Sequence, residues 1–293
     1  MAERSPVLSE KILTQSLVLV VLVLVAGAAS APSAFRPTLG SMQNLKVVAL
    51  VSGGKDSTMN MLRCVEQGHE IVCLGNLFPA PAAHTDELDS FMYQTVGHDG
   101  IEAIAACMEL PLFRRPIQPK GAVNQELEYT PTAGDEVEDL FALLHYVKQQ
   151  HPGVNAVATG AILSNYQRTR VEAVCMRLGL VSLAFLWQCD QTELLDEMIA
   201  AGVEARLIKV ACMGLSPQKH LGMTLEQARG TLHRLNAEYG AHVCGEASST
   251  PSPPPTQNHC KMTYAMVYVC MQQFIVVFAF LVRSNSLSLS SRS

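Results

Sequence analysis

The stretch Ser52-Gly53-Gly54-Lys55-Asp56-Ser57 decides the fold, because it follows directly on the apolar run 47–51. A buried strand that feeds a glycine-rich turn is where α/β proteins place phosphate groups. The glycines let backbone N–H groups approach an anion, Lys55 adds a mobile positive charge, and Ser52 and Ser57 add hydroxyl donors. The pattern therefore predicts a nucleotide-binding loop between a strand and a helix.

This loop is not a Walker A motif. That motif needs a glycine five residues before its second glycine and a serine or threonine after its lysine. Here the two positions hold Ala49 and Asp56. The loop instead resembles the Ser-Gly-Gly-x-Asp-Ser PP-loop of enzymes that split ATP into AMP and pyrophosphate, which implies ATP as the bound nucleotide.

The loop residues have separate expected roles. Lys55 is a catalytic candidate, because its charge would neutralise the pyrophosphate as it leaves. Asp56 is the other catalytic candidate, and it is expected to orient the loop or to hold Mg²⁺ through its hard carboxylate oxygens. The residues expected to bind ATP are Ser52, Gly53, Gly54, Lys55 and Ser57, joined by Gly160 and Ser164 from a later loop.

The rest of the chain up to residue 246 alternates apolar strand candidates with amphipathic helix candidates. The predicted strands are 46–51, 71–77, 111–114, 154–159, 181–186 and 205–210. The predicted helices are 58–67, 98–109, 135–150, 165–178, 191–201 and 224–239, with glycines 68, 179, 202 and 240 as stops. This alternation predicts an α/β fold: a doubly wound, mostly parallel sheet of about six βα units with helices on both faces.

Three further polar blocks carry chemistry-bearing residues. The block 159–172 follows a predicted strand, where open α/β sheets bind ligands. In it, Ser164 or Asn165 can cap the next helix, and Arg168 and Arg170 can fork around a phosphate or carboxylate. The block 86–98 mixes acids, hydroxyls, an amide and an imidazole, and reads alternatively as a solvated loop. The block 134–140 places acids in the first turn of a helix, where they are favourable in any protein.

Taken together, these blocks resemble the diphthine–ammonia ligase family of PP-loop ATP pyrophosphatases. The resemblance covers residues 44–246, and its motifs lie at 52–57, 87–97, 134–140, 160–168, 183–188, 215–222 and 242–246. It implies an adenine-nucleotide α-hydrolase-like fold. It also implies ATP-dependent amidation of diphthine, a modified histidine on elongation factor 2, by ammonia. The acyl-adenylate would be the intermediate, and diphthamide, AMP and pyrophosphate the products. Its substrate-side candidates are Glu87, Asp89, Tyr93, Gln94, Tyr166, Arg168 and Glu246.

The chain departs from the family pattern at two places. Asn165 stands where the family commonly has aspartate. After Glu246 the chain continues Ala-Ser-Ser, whereas the family continues Gly-Gly-Glu-Tyr-Glu-Thr. We therefore expect a ligase domain at 42–246 that is truncated at its C-terminal side, with weak or no turnover as the alternative to an active ligase.

The two ends of the chain differ from the central zone. Residues 1–41 contain the apolar run 17–29 before Ala-Ser-Ala, which suggests either a targeting segment or a dispensable, wrongly assigned start. Residues 247–256 are rich in Ser, Pro and Thr and read as a disordered linker, and 265–282 is a mostly apolar stretch of borderline membrane length. We interpret the divergent tail 247–293 as non-native coding sequence rather than as a membrane helix.

The amino-acid composition limits which partners and which cellular compartment are expected for this protein. The net charge is −5 and there is no basic run, so no broad cationic face for nucleic acid is expected. The nine cysteines include no Cys-x-x-Cys pair, and most lie in apolar stretches as small buried residues. A reduced, cytoplasmic location is therefore expected.

Three alternatives to the ligase stay open at this point. One is another PP-loop enzyme, such as a tRNA-modifying one, although the chain lacks a basic face and a Cys-x-x-Cys pair. The second is a truncated nucleotide binder without turnover. The third is a membrane-anchored protein that uses one of the two terminal apolar segments.

Overall fold

The computed structural model describes residues 44–80, 100–118, 124, 126, 128–211, 214–245 and 263–269. All of them lie in Gln43–Ser293, the second of the two units into which the chain divides. The expected targeting segment, the block 86–98 and the linker 247–256 lie outside the described residues. None of the described helices is both long enough and apolar enough to cross a membrane.

The centre of the fold is a five-stranded sheet in the order β3-β2-β1-β4-β5. Every neighbouring pair in it is parallel. The strands are β1 (Lys46–Leu50), β2 (Glu70–Pro79), β3 (Leu112–Ile117), β4 (Ala156–Ala158) and β5 (Val181–Leu183). The predicted α/β class with a parallel sheet is confirmed.

Helices cover both faces of this sheet, as predicted. They are α1 (Lys55–Glu66), α2 (Ile101–Met108), α3 (Glu136–Gln150), α4 (Asn165–Leu178), α5 (Gln191–Ala200), α6 (Pro217–His220) and α7 (Leu225–Tyr239). Side chains of α1, α2, α5 and α7 share one apolar core with Val47 and Ala49 of β1. Side chains of α3 and α4 share the other core with Val48. The alternation along β1 is what a strand buried on both faces requires.

The predicted sixth strand does not join the parallel sheet. β6 (Ala205–Ala211) pairs antiparallel with β7 (Thr263–Val269) in a separate two-stranded sheet. The backbone of Leu207 in β6 also receives and donates hydrogen bonds at Gly222 and Met223, at 2.7 and 2.9 Å. The backbone of β6 thus pairs with β7 and with residues 222–223, and not with the parallel sheet. Residues 263–269 form a strand, so this part of the apolar stretch 265–282 is not helical.

Most predicted boundaries hold within a few residues, and α4 matches its prediction of 165–178. The main difference is at α1, which begins at Lys55 rather than at 58. Residues 55–57 of the glycine-rich stretch therefore form the first helical turn. Four of the cysteines are buried, as expected: Cys64, Cys73, Cys175 and Cys244. Burial raises the pKa of the first three to about 12, which keeps these thiols protonated.

The chain reverses its direction of sheet growth between β1 and β4, so the loops after these two strands meet. Gly160, just after β4, touches the backbone of α1. A Cβ placed at Gly160 would lie 2.6 Å from Ser57 N and 2.7 Å from Asp56 C. No side chain fits in that space. In a parallel sheet such a reversal creates the crevice where ligands bind.

We predict that Gly160→Ala destabilises the fold, because its Cβ would collide with helix backbone that cannot move away cheaply. The expected loss is at least about 2 kcal/mol in the free energy of unfolding, measured by urea denaturation. The matched control is Gly230→Ala within α7, where an added Cβ meets nothing within 4 Å. That change should stabilise the helix by about 0.5–1 kcal/mol. Equal stability of Gly160→Ala and the wild type would contradict the contact.

Candidate functional site

The N-terminus of α1 is formed by a glycine turn that has no capping side chain. Gly53 has φ +81°, a left-handed conformation that favours glycine, and it turns the chain from β1 into the helix. Gly54 then caps α1 without any side-chain hydrogen bond. The first N–H groups of a helix have no partner within the helix, and here no capping side chain takes them. This end can therefore receive an anion.

Two hydroxyl groups stabilise the turn through hydrogen bonds to Gly54. Ser57 Oγ and Thr58 Oγ1 each donate to the carbonyl oxygen of Gly54, both at 3.0 Å. The Ser57 hydroxyl was expected to face the nucleotide, and its hydrogen bond in this structure shapes the loop instead. Because a hydroxyl also accepts, this bond does not remove its capacity to contact a ligand.

Lys55 is not the mobile charge that the sequence suggested, and that expectation was wrong. Its residue is 4% exposed, and its Nζ donates to both carboxylate oxygens of Asp56 at 2.8 Å. The same ammonium donates to the main-chain carbonyl of Cys244. Burial raises the pKa of the Asp56 carboxyl, and the contact with Lys55 acts in the opposite direction. The loop thus contains a buried cation that is fixed by two partners.

The segment 241–245, which follows α7, contacts this loop through Cys244. Val243 N donates to Gln191 Oε1 at 2.9 Å, and the Cys244 thiol contacts the Gln191 carbonyl oxygen at 3.4 Å. Burial, together with the nearby Lys55 charge, lowers the pKa of His242 from 6.5 to about 4. The ammonium of Lys55 is therefore close enough to shape the electrostatics of this segment.

The loop after β4 supplies a second helix N-terminus. Ser164 caps α4, since its Oγ accepts from Gln167 N at 3.3 Å. The prediction that Ser164 or Asn165 caps this helix is confirmed for Ser164. Gly160 of the same loop reaches the backbone of α1, so its tight fit is explained by packing. Whether Gly160 and Ser164 contact ATP stays a prediction.

The guanidinium of Arg168 interacts with two nearby side chains, Glu172 and Trp187. Its Nη1 donates to Glu172 at 2.8 Å, and its guanidinium lies 4.7 Å from the ring centroid of Trp187. Trp187 is the only tryptophan in the sequence, and Gln188 after it has φ +59°. Arg168 is half-buried, so its predicted role on the substrate side is compatible with its position.

Arg170 is buried instead of facing a ligand, which corrects the expectation that it could fork around a phosphate. It is 1% exposed, and it donates to the main-chain carbonyls of Asn124, Glu126 and Tyr166. Its guanidinium stacks 3.4 Å from the centroid of the Tyr166 ring. Arg170 therefore ties α4 to the segment before α3 and orients Tyr166, a predicted substrate-side residue.

The acids of block 134–140 act as structural partners. Asp135 caps α3 by accepting from Val137 N at 2.9 Å. Glu138 accepts from Arg177 and from the Tyr129 hydroxyl, each at 2.8 Å, and Arg177 holds the pKa of the Glu138 carboxyl below its usual range. These contacts support the interpretation that this block mainly starts a helix.

Five predicted substrate-side residues cannot be placed, since they lie outside the described residues: Glu87, Asp89, Tyr93, Gln94 and Glu246. Ser52 lies at the end of the strand-to-loop connection and is half-buried. Within the described part of the chain, no group of three or more His, Cys, Asp or Glu side chains is arranged to hold a metal ion. Within the described loop 52–57, Asp56 is the residue whose carboxylate could bind Mg²⁺.

Two residues of the site were missed from the sequence. Asn60 on α1 is fully buried, donates to Leu183 O at 3.0 Å and accepts from Phe185 N at 2.8 Å, which fixes α1 to the loop after β5. A single amide between Met59 and Met61 was the available signal for it. Gln191 gave no such signal, because its partners lie 52 and 53 positions away.

The comparisons with known proteins agree with this geometry. The family model of the diphthamide synthase N-terminal domain matches residues 45–182. The chain is 56% identical over 202 residues to the diphthine–ammonia ligase of Danio rerio. The aligned part covers 69% of this chain and 78% of that protein. This chain belongs to the diphthine–ammonia ligase family. It is also 53% identical over 203 residues to the Homo sapiens diphthine–ammonia ligase, covering 69% and 75% of the two chains. The Schizosaccharomyces pombe relative is 52% identical over 202 residues, but only 33% of that longer protein is covered.

We predict that Arg170→Met lowers the free energy of unfolding by about 3 kcal/mol or more, because a buried guanidinium and its hydrogen bonds to three main-chain carbonyls are lost. The measurement is urea denaturation at pH 7. The matched control is Arg234→Met on α7, an arginine whose side chain is 57% exposed and pairs with Glu238 at 3.4 Å. Its expected change is within about 0.5 kcal/mol. Similar losses for the two variants would contradict the structural role of Arg170.

His242 gives a testable dependence of stability on pH. Its pKa is about 4 in the fold and 6.5 as an ordinary histidine, so below pH 6.5 the unfolded chain binds a proton that the folded chain does not. Stability is therefore lost as the pH falls from 6.5 towards 4. Urea denaturation across this window should show a shallower loss for His242→Gln than for the wild type. Identical pH dependence in the two proteins would show that His242 is not held neutral.

Proposed function

We propose that this chain catalyses ATP-dependent amidation of the diphthine carboxylate of elongation factor 2 by ammonia. In this reaction a carboxylate oxygen attacks the α-phosphorus of ATP, and the bond to pyrophosphate breaks. Ammonia then attacks the acyl carbon, AMP leaves with the oxygen, and the diphthamide amide remains. The observation that carries the proposal is family membership combined with the loop geometry: a glycine-built helix N-terminus with a buried lysine, at the switch point of a parallel sheet.

The described residues support binding of a polyanion at this position. The amides of the first turn of α1 are not used by a capping side chain, and helix N-termini favour phosphate. Lys55 is the first residue of this helix and supplies a buried positive charge. Its ammonium is paired with Asp56, so a phosphate would compete with that carboxylate for it. We propose that these groups bind the phosphates and that Lys55 stabilises the charge that develops on the leaving pyrophosphate.

Asp56 is the residue that would hold Mg²⁺. Its side chain is 25% exposed, and Mg²⁺ is usually bound by one or two carboxylates together with substrate phosphates. The single available carboxylate of this loop fits that pattern. Magnesium would supply charge neutralisation on the phosphate oxygens when bound, and Asp56 would then exchange its contact with Lys55 for the metal.

The chemistry requires no nucleophilic side chain. A carboxylate accepts an amine only after its oxygen has become a good leaving group, and ATP provides that group. The part of the protein is to orient three reactants and to exclude water. We assign contact with the protein substrate to Tyr166 and Arg168. Both residues lie in the first turn of α4, which follows the loop after β4. A reduced cytoplasmic location suits this function and the six described cysteines, none of which forms a disulfide.

We predict that the purified full chain, given diphthine-containing elongation factor 2, MgATP and ¹⁵N-ammonium, forms AMP and ¹⁵N-labelled diphthamide. Mass spectrometry of the modified peptide and nucleotide chromatography are the measurements. Lys55→Met should lower kcat by about 10²-fold or more, as for loss of a residue that stabilises transition-state charge. The control is Lys148→Met, remote in sequence at the end of α3. Formation of ADP would contradict the proposal, and ATP binding without any AMP would select the non-catalytic nucleotide binder.

A further inference from the structure

The segment whose carbonyl accepts from Lys55 is itself held by one residue, Gln191 of α5. Gln191 is the first residue of α5, whose capping residue Asp190 accepts from Thr192 N at 2.9 Å and from Glu193 N at 3.0 Å. Leu194 and Leu195 on the next turn are buried in the core. The helix end that carries Gln191 is thus fixed by capping and by packing.

From this fixed position Gln191 holds the segment 243–244 at two points. Its side-chain oxygen accepts from Val243 N at 2.9 Å, and its main-chain carbonyl contacts the Cys244 thiol at 3.4 Å. Val243 and Cys244 are 3% and 2% exposed, so water does not replace these contacts easily. The main-chain carbonyl oxygen of Cys244, in the same segment, accepts from Lys55 Nζ.

We propose that Gln191 is a positioning residue for Lys55. It fixes the main chain at Cys244, and the Cys244 carbonyl together with Asp56 then fixes the ammonium at the loop. This inference rests on the proposed function in one respect, namely that Lys55 meets the phosphates of ATP. A lysine side chain has several rotatable bonds, so ordering it costs conformational entropy. Because Lys55 is already ordered in the folded protein, nucleotide binding does not bear this cost.

The test is the dissociation constant of MgATP, measured by calorimetry on the full chain without the protein substrate. Gln191→Met keeps the length of the side chain but removes the acceptor, and it should weaken MgATP binding about fivefold, the effect of one neutral hydrogen bond. Gln191→Glu retains an acceptor and should bind within about twofold of the wild type. The matched control is Gln149→Met, an exposed glutamine of α3, with unchanged binding.

The decisive comparison uses Lys55→Met as background. If Gln191 acts through Lys55, then Gln191→Met has no further effect in that background. The same fivefold loss in both backgrounds would overturn the inference, and so would wild-type or tighter binding by Gln191→Met. Should Gln191→Met fail to fold, Cys244→Ala removes the second contact and is expected to weaken binding in the same direction. A wild-type chain that does not bind MgATP at all would instead refute the proposed function.

Discussion

The close contact between Gly160 and the first turn of α1 is the constraint on which the rest of the site depends. Strand order reverses between β1 and β4, and the loops after these strands must share one space. They do so because Gly160 has no side chain where Asp56 and Ser57 present their backbone. Buried Asn60 fixes the same helix to the loop after β5. Three loops from three strands are thereby held around one helix N-terminus.

The charges of the site follow from this packing. Lys55 is buried, and a buried ammonium requires partners. Asp56 provides the opposite charge and Cys244 provides a carbonyl dipole. The cation is thus neutralised within the protein until an anion competes for it. Arg170 meets the same requirement on the other side of β4 with three main-chain carbonyls and a tyrosine ring.

Local patterns were enough to predict the sheet class, the helices and the glycine turn between β1 and α1, because each depends on neighbours in sequence. The motif of glycines after an apolar strand located α1, and a serine before an amphipathic run located the cap of α4. Contacts between distant segments were beyond reach. Arg168 and Arg170 look equivalent in the sequence, but they differ in burial. Arg170 is the buried one, and it donates to the carbonyls of Asn124 and Glu126. Lys55 was expected to be mobile, since nothing near it in sequence reveals its hydrogen bond to the Cys244 carbonyl, 189 residues later.

The central claim is that this loop directs the cleavage of ATP at its α-phosphate once the diphthine carboxylate is present. It is tested most directly by exchange of labelled pyrophosphate into ATP, with diphthine-containing elongation factor 2 and without ammonia. The account predicts exchange that requires the modified protein and is lost in Lys55→Met. Absence of exchange while ADP and phosphate accumulate would contradict it.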